Sequence, residues 1–366
     1  MNTDRKSYDS ILSPTLREYL HMIKPTDREA ARRCRARWDG LAKPLRGLGQ
    51  LEEAVCRLAA ISGSDQVALD DRAVLVFCAD NGCVAQGVTQ CGPEVTAAVA
   101  REIAAGKGNV SAMARAVNSN VFVYDVGLLQ DEPGLRPCKQ GRGTADISQG
   151  PAMSREQAEQ TVLFGMEQVK RLRELGYDIL VGGEMGIGNT TTSAATAACL
   201  LGLDEAELVG RGAGLSDAGL ARKRQVVAQA LRVNAPHRDD PLDVLAKLGG
   251  YDIAALTGLF LGGACWQTPV VIDGVIAAVA ALLAVKLAPC CREYLLASHV
   301  SREPAAGLLL SELGLSPVIA AGLALGEGTG GLLLLPLLDA ALAVYEQSST
   351  FACFGLEAYT PQEDQV

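Results

Sequence analysis

The fold is indicated most clearly by one segment of the chain, Gly182-Gly183-Glu184-Met185-Gly186-Ile187-Gly188-Asn189-Thr190-Thr191. The apolar run Tyr177–Val181 before it predicts a short buried strand, and the alanine-rich run Ser193–Leu201 after it predicts a helix. A strand, a glycine turn and a helix together present backbone N–H groups and a positive helix end to an anion. No lysine follows the last glycine, and the spacing is not that of a dinucleotide fingerprint. The turn is therefore predicted to be another kind of phosphate site, or else a βα turn without a ligand.

A second glycine cluster also contains one acid. Glu327 lies in the segment Leu325–Gly331, ahead of the apolar run Leu332–Leu338. A carboxylate held between apolar segments is removed from water, which suits a general base working near neutral pH. The alternative is an acid on a solvent-exposed turn. Glu184 has a similar setting, but a carboxylate beside a bound anion would repel it, so Glu184 is expected to face another part of the ligand.

Short apolar runs alternate with helix-like segments along the chain. The runs are Val74–Ala79, Val121–Val126, Ile179–Gly182 and Val270–Ile272. This alternation predicts an α/β fold with a doubly wound, mainly parallel sheet flanked by helices, and ligands at the carboxyl ends of the strands. The segment Ser7–Ala60 is predicted to be helical. Two long apolar stretches, Pro269–Pro289 and Leu332–Tyr345, are interrupted by charged residues or proline and are predicted to be core elements rather than membrane spans.

The composition argues against several kinds of partner. The 366 residues carry a formal net charge of −9 and no basic stripe, which argues against nucleic acid. The 11 cysteines are scattered, and only His21, His237 and His299 are available as histidine ligands, so neither disulfides nor a metal site is predicted. Reduced cysteines and a charged amino-terminal segment favour a cytoplasmic protein that does not contact a membrane.

Further motifs run in order along nearly the whole chain, from Leu41 to Phe354. They include Lys43-Pro44, Val76–Asp80, Val95-Thr96, Asp125–Gly127, Gly143–Asp146, Gly150–Met153, Gly210–Gly212, Gly249–Ala255, Pro269–Gly274 and Ser298-His299. With the two glycine clusters, they resemble the nicotinate-nucleotide:dimethylbenzimidazole phosphoribosyltransferase family, which makes the lower-ligand nucleotide of cobamides. Each motif alone is weak, but their order and number identify the chain as a member.

The resemblance implies a domain organisation and an assembly. Residues 61–335 are expected to form the α/β nucleotide-binding domain. Residues 1–60 and 336–366 are expected to form a small helical second domain. The resemblance also implies a dimer, either a homodimer or a heterodimer with a related chain, and no cofactor.

The resemblance further implies the reaction and its residues. The family transfers phosphoribose from nicotinate mononucleotide to an aromatic base, and Glu327 matches its general base. The residues that match the nucleotide and phosphate site are Glu184, Gly186, Ile187, Gly188, Asn189, Thr190, Thr191, Gly212, Lys223 and Ser298. Glu184 is expected on the ribose or base side. Without the surrounding motif, Lys223 would equally be a solvated helix lysine.

The chain departs from the family pattern where the base is expected to bind. Asn81 stands in place of the usual histidine, and Thr89, Gln90 and Cys91 occupy a loop that usually carries an aromatic residue. Losing a ring removes a stacking surface for a flat bicyclic base. Relatives that use phenols are heterodimers of two similar chains, so a phenol such as p-cresol is the first acceptor expected here and a benzimidazole is its rival. A non-catalytic partner subunit and a nucleotide-binding regulatory protein are the alternatives.

Overall fold

The computed structural model describes residues 11–360 and contains one sheet. Its strands are β1 (Arg72–Ala79), β2 (Asn120–Gly127), β3 (Arg136–Pro137), β4 (Ile179–Met185), β5 (Val270–Ile272) and β6 (Leu295–Ala297). Every strand pair is parallel, and the spatial order is β3-β2-β1-β4-β5-β6. The order reverses between β1 and β4, and in such sheets the crevice beyond the carboxyl ends at that point is where ligands bind.

The described helices connect these strands and cover both faces of the sheet. The first seven are α1 (Pro14–Met22), α2 (Arg28–Gly40), α3 (Gln50–Ser62), α4 (Glu94–Ala104), α5 (Asn109–Ala116), α6 (Arg155–Glu174) and α7 (Asn189–Leu201). The others are α8 (Glu205–Leu208), α9 (Asp217–Asn234), α10 (Pro241–Leu248), α11 (Tyr251–Cys265), α12 (Val275–Leu287), α13 (Ala305–Leu313) and α14 (Thr329–Gln347). Short 3₁₀ turns lie at Gly82–Gln86, Pro289–Tyr294 and Phe351–Phe354.

Strand β1 shows why the sheet needs helices on both sides. Its side chains alternate between the faces, and both sets are buried. Leu75 and Phe77 join the core that contains α6 and α11, whereas Val74 and Val76 join the core that contains α3 and α14. A strand buried on both faces has a continuous apolar sequence, which is typical of parallel sheets.

Glycines allow α6 and α11 to pack closely under the first of these faces. A Cβ atom at Gly165 would collide with the carbonyl of Ala255, and one at Gly258 would collide with that of Val162. All fifteen residues of α11 are buried. This rigid packing holds the amino end of α11, with Asp252, against the carboxyl ends of the strands.

The α/β prediction is confirmed, and the four predicted strands lie within β1, β2, β4 and β5. The segment predicted to be helical contains α1, α2 and α3, although residues 7–10 lie outside the described residues. Strands β3 and β6 were missed because runs of two and three residues carry no detectable alternation. The apolar stretch Pro269–Pro289 contains β5 and α12, and the stretch Leu332–Tyr345 lies within α14. Both are core elements, as predicted.

The carboxyl-terminal helix α14 packs on the sheet, whereas α1, α2 and α3 pack on other helices. In the described chain, only α14 is long and apolar enough to span a membrane, and much of it is buried against the sheet and α3. It begins at Thr329, so the boundary predicted after residue 335 falls inside one helix. The division into two domains stays a prediction, and its residues 1–10 and 361–366 lie outside the described range.

Candidate active site

A cavity of about 280 Å³ lies beyond the carboxyl ends of β4, β5 and β6. Its walls come from the loop after β1, the glycine turn after β4, the loops after β5 and β6, and the last glycine cluster. The predicted site residues on its lining are Thr89, Gln90, Glu184, Gly186, Ile187, Gly188, Asn189, Thr190, Gly212 and Glu327. The two glycine clusters, which are far apart in the sequence, therefore meet in one cavity.

Glu327 is held at the cavity by both carboxylate oxygens. Its Oε1 accepts a hydrogen bond from Asn109 Nδ2 at 3.1 Å, and its Oε2 accepts one from the Val110 amide at 3.1 Å. The Val110 amide belongs to the first turn of α5, where backbone N–H groups have no partner within the helix. Glu327 is buried, so the alternative of a solvent-exposed turn acid is excluded.

The backbone at Glu327 is strained. Its φ is +62°, and the flanking residues Gly326 and Gly328 have φ of +85° and +89°. A left-handed conformation costs a side-chain-bearing residue roughly 1–3 kcal/mol, and such strain clusters at functional sites. The two glycines adopt this conformation readily, which explains why the acid is bracketed by them.

Asp273, at the carboxyl end of β5, fixes this strained loop. Its Oδ2 accepts a hydrogen bond from the Gly328 amide at 3.1 Å, and its Oδ1 accepts one from the Gly331 amide at 3.0 Å. These amides are at the start of α14, where a carboxylate satisfies unpaired N–H groups. The carboxylate of Asp273 also faces His299, whose Nδ1 lies 4.0 Å from Asp273 Oδ1.

The glycine turn after β4 uses part of its hydrogen-bonding capacity within the protein. The Ile187 amide donates to Thr96 Oγ1 at 3.1 Å, and the Asn189 and Thr191 amides donate to the carbonyls of Gly186 and Gly188. The turn is therefore pre-formed. Gly188, Asn189 and Thr190 at the start of α7 line the cavity and bring the positive end of the helix dipole to it.

Lys223 lies directly behind this turn. It is fully buried, and its Nζ donates to Thr190 Oγ1 at 2.7 Å. Burial lowers the pKa of Lys223, and no carboxylate forms an ion pair with it in the described part of the chain. A Cβ at Gly212 would lie 2.9 Å from Thr190 Oγ1 and 3.5 Å from Lys223 Nζ. A buried lysine that has no direct ion pair among the described residues, only the longer-range charge of Glu303, and lies beside the start of a helix is a setting that favours an anion.

Glu184 shares one hydrogen-bond donor with another buried acid. Asn189 Nδ2 donates to Glu184 Oε2 and, at 2.9 Å, to Asp252 Oδ2. Burial, followed by the charge of Asp252, raises the pKa of Glu184 to about 8, and burial raises the pKa of Asp252 to about 6. Among residues 11–360, no group of three or more potential ligands is arranged to hold a metal ion.

Glu184 is expected to make the protein less stable as the pH rises. Its pKa is raised on folding, so its stabilising proton is fully bound below the ordinary value of about 4.5 and is lost as the pH rises through about 8. In urea unfolding across this range, the parent should lose on the order of 5 kcal/mol more than Glu184→Gln, whose amide mimics the protonated acid. Glu207→Gln, at an exposed position, should follow the parent. Equal pH slopes in the parent and Glu184→Gln would contradict the shifted pKa.

Two residues of the predicted base site are not on the lining of the cavity as described. Asn81 is buried and its Nδ2 donates to the Ile187 carbonyl at 3.4 Å, so it supports the glycine turn. The Cys91 Sγ lies 3.7 Å from Thr89 Oγ1. Gln90 lines the cavity, but its amide nitrogen donates to the Gly214 carbonyl and joins two loops.

Three residues of the predicted nucleotide site, Lys223 among them, likewise lie behind the described lining. Thr191 is fully buried in α7. Ser298 is fully buried, and its hydroxyl donates to the Ile272 carbonyl at 2.6 Å. The hydroxyl is thus occupied by the backbone, and this geometry does not support the prediction that Ser298 contacts the nucleotide.

Several residues at the cavity were not predicted from the sequence. Asp252, Asp273 and His299 lie in sequence motifs that assign them no role at the nucleotide or the base, and nothing in the sequence indicates Asn109 or Glu303. Glu303 lines the cavity and accepts a hydrogen bond from the Gly212 amide at 3.0 Å. An acid directly after a short apolar run, as in Ile272-Asp273-Gly274, was the one available signal, because it predicts a carboxylate at the carboxyl end of a strand.

Comparison with known proteins agrees with this geometry. A family model described as "Phosphoribosyltransferase" matches residues 23–355. A nicotinate-nucleotide–dimethylbenzimidazole phosphoribosyltransferase from Ruminiclostridium cellulolyticum is 43% identical over 351 residues, covering 95% of this chain and 100% of the relative. The protein of the same description from Acetivibrio thermocellus is 40% identical over 89% of this chain and 93% of its own length. The crystal structure of CobT from Thermus thermophilus is 44% identical, with a TM-score of 0.84 over 90% of this chain and 99% of that one. The family recognised from the motifs is confirmed: the chain belongs to these phosphoribosyltransferases, which are pentosyl-transferring enzymes.

Proposed function

We propose that this enzyme transfers phosphoribose from nicotinate mononucleotide to an aromatic lower-ligand base in cobamide biosynthesis. The observation that carries the proposal is the single cavity that joins the Glu327 carboxylate to the start of α7. One end of the cavity suits a phosphate and the other offers a proton acceptor. The relatives at 40% identity or more are described as enzymes that act on nicotinate nucleotide and dimethylbenzimidazole, which supports this reaction.

The proposed mechanism needs one base and accurate positioning. The nicotinate ring of the substrate is a positively charged pyridinium, so the bond from the ribose C1′ to its nitrogen breaks without a proton being supplied. The acceptor oxygen or nitrogen forms the new bond to C1′, giving an α-linked riboside phosphate. Glu327 takes the acceptor's proton, and free nicotinate leaves. A positioned base typically contributes ~10²–10⁴-fold to rate, and holding the reactants together contributes more.

The start of α7 is proposed to hold the 5′-phosphate. Gly188, Asn189 and Thr190 line the cavity there, and Lys223 contributes a charge through its contact with Thr190. Gly212 leaves room beside both groups. Glu184 is assigned to the ribose or base side, because the raised pKa allows it to donate a hydrogen bond from a protonated carboxyl.

A single-ring phenol such as p-cresol is proposed as the preferred acceptor. No Phe, Tyr or Trp is among the described residues that line the cavity, and the imidazole of His299 is the one small ring there, so a bicyclic base lacks a large ring to stack on. An aromatic pair contributes about 1 kcal/mol beyond the area it buries, enough to shift a preference towards a smaller acceptor. A phenol also has an O–H proton for Glu327 to accept. Dimethylbenzimidazole, the base in the relatives' descriptions, is the rival.

The enzyme is proposed to work in the cytoplasm as a homodimer or as a heterodimer with a related chain. All 11 cysteines lie in the described range as free thiols, which supports a reducing compartment. The second candidate function is a non-catalytic subunit of a heterodimer. The held Glu327 carboxylate, the pre-formed turn and the buried Lys223 favour a catalytic chain instead, because a subunit without activity would not need them.

An acceptor competition tests both the reaction and the preference. The purified chain is given nicotinate mononucleotide with equal p-cresol and dimethylbenzimidazole, and nicotinate release and product masses are measured, alone and with a related chain. We expect nicotinate release and mainly the phenolic product. A strong preference for dimethylbenzimidazole by the chain alone would refute the phenol proposal. No release by this chain alone with any acceptor, together with release by the related chain alone, would support the non-catalytic subunit.

A further inference from the structure

A second concave surface, which we call the arginine groove, lies away from the active site. It has a volume of about 570 Å³ and is lined by one face of α2, one face of α3 and the 3₁₀ turn Pro289–Tyr294. Its arginines are Arg28, Arg32, Arg35, Arg57 and Arg292. The α2 positions are spaced by four and three residues, so they project from one side of that helix.

Positive charge in the groove is only partly neutralised. Two glutamates, Glu53 and Glu293, also line it, and Arg32 is ion-paired with Glu29 beside it, which leaves a formal excess of two positive charges on a chain whose net charge is −9. Glu293 Oε2 is occupied by the Thr26 amide and hydroxyl at 2.8 and 2.9 Å, and Glu53 contacts Arg35. Like charges brought together in this way repel one another unless an anion lies between them.

Several of these arginines have no carboxylate partner in the described part of the chain. Within residues 11–360, Arg28, Arg57 and Arg292 form no ion pair. The guanidinium of Arg57 donates only to the carbonyls of Arg292 and Leu295, at 3.0 and 2.9 Å. Burial, and next the charge of Arg292, lowers the pKa of Arg57. Arg35 Nη1 is buried without a hydrogen-bond partner and lies 3.9 Å from Glu52 Oε2.

We propose that the arginine groove binds a small phosphorylated anion with at least two negative charges, of the pyrophosphate class. Guanidinium groups bind phosphate oxygens through paired N–H donors, and several of them converge on a space large enough for such a ligand. A nucleic acid is disfavoured because the chain as a whole is acidic.

The groove is separate from the catalytic cavity. Arg57 donates to the carbonyl of Leu295, the first residue of β6, whereas the cavity begins beyond the last residue, Ala297. The two sites therefore lie at opposite ends of β6, about 10 Å of strand apart. The lining of the groove shares no described residue with that of the cavity.

Calorimetric titration with inorganic pyrophosphate tests the proposal. The parent is titrated with and without excess nicotinate mononucleotide, which is expected to block the phosphate site of the cavity. We expect about one pyrophosphate per chain to bind in the presence of the nucleotide, with an affinity that falls as salt is added. Arg28→Gln/Arg292→Gln should weaken this binding by about tenfold or more, because two unpaired charges are removed.

The matched control removes two charges elsewhere. Arg173→Gln/Arg232→Gln changes the net charge equally, and neither side chain is on the lining of the groove as described. Its pyrophosphate affinity should stay within about twofold of the parent, since distant exposed charges are screened. All four arginines are exposed, and thermal melting of each variant checks that folding is retained. Equal weakening in both double variants, or no binding by the parent beyond the site that the nucleotide blocks, would overturn the proposal.

Discussion

Glu327→Gln is expected to lower turnover by ~10²-fold or more while nicotinate mononucleotide binds almost as before, because glutamine cannot accept the acceptor's proton. The substitution is nearly isosteric. The new carbonyl oxygen accepts from the Val110 amide, and a flip of the Asn109 amide accommodates the new NH₂ group. The backbone strain at position 327 is unchanged, so the variant should fold as the parent does.

Steady-state nicotinate release and nucleotide calorimetry measure the two effects separately. Glu207→Gln removes an exposed acid from the same chain and should leave both values unchanged. Turnover of Glu327→Gln within a few-fold of the parent would remove Glu327 from its role as the base. A parallel loss of nucleotide affinity would instead assign it to binding.

Gly188→Val is expected to lower the affinity for nicotinate mononucleotide by roughly 10- to 100-fold, while the free acceptor still binds. Gly188 caps α7 with φ of +92°, and a Cβ there would lie 2.8 Å from Val84 Cγ2 and 3.3 Å from Cys83 Sγ. Valine therefore adds both a clash and an unfavourable conformation, roughly 1–3 kcal/mol of strain, at the turn proposed to hold the phosphate.

The control for this variant is Gly176→Val. Gly176 has the same φ of +92° but lies after the end of α6, and a Cβ there would meet no neighbouring atom within 4 Å. The substitution imposes comparable backbone strain away from the cavity, so it should lower stability without changing nucleotide affinity. If calorimetry gives the same affinity for a folded Gly188→Val variant and the parent, the phosphate binds elsewhere.

The long elements of this fold could be predicted because burial on both faces makes a strand uniformly apolar. Val74–Ala79 and Val121–Val126 indicate β1 and β2 in this way, and glycine and acid at their ends mark where each strand stops. Strands β3 and β6 contain two and three residues, too few for any pattern to show. Their place at the two edges follows from the chain's path around the sheet, which the local sequence does not specify.

The candidate site was predictable where one segment supplies both geometry and chemistry. The glycine turn at 186–188 and the acid at 327 are of this kind. The supporting contacts are different, because each joins residues distant in sequence: Asp273 to Gly328, Asn109 to Glu327, and Asn189 to Asp252. Such pairs depend on how elements pack. The packing of the loop also decides the position of Cys91. Its place in the sequence predicts that it contacts the base, but it is not on the described lining of the cavity.

The strand order has a consequence for how the chain is synthesised. Strand β1 pairs with β2 on one side, but its other neighbour is β4, which is made more than fifty residues after β2. Until residues 179–185 leave the ribosome, one edge of a central strand that is apolar from Ala73 to Ala79 has no partner. Exposed edges of this kind recruit other chains, so nascent β1 is a segment that a chaperone would protect. Expression at high rates should therefore yield aggregates through this edge before any effect on the finished enzyme is seen.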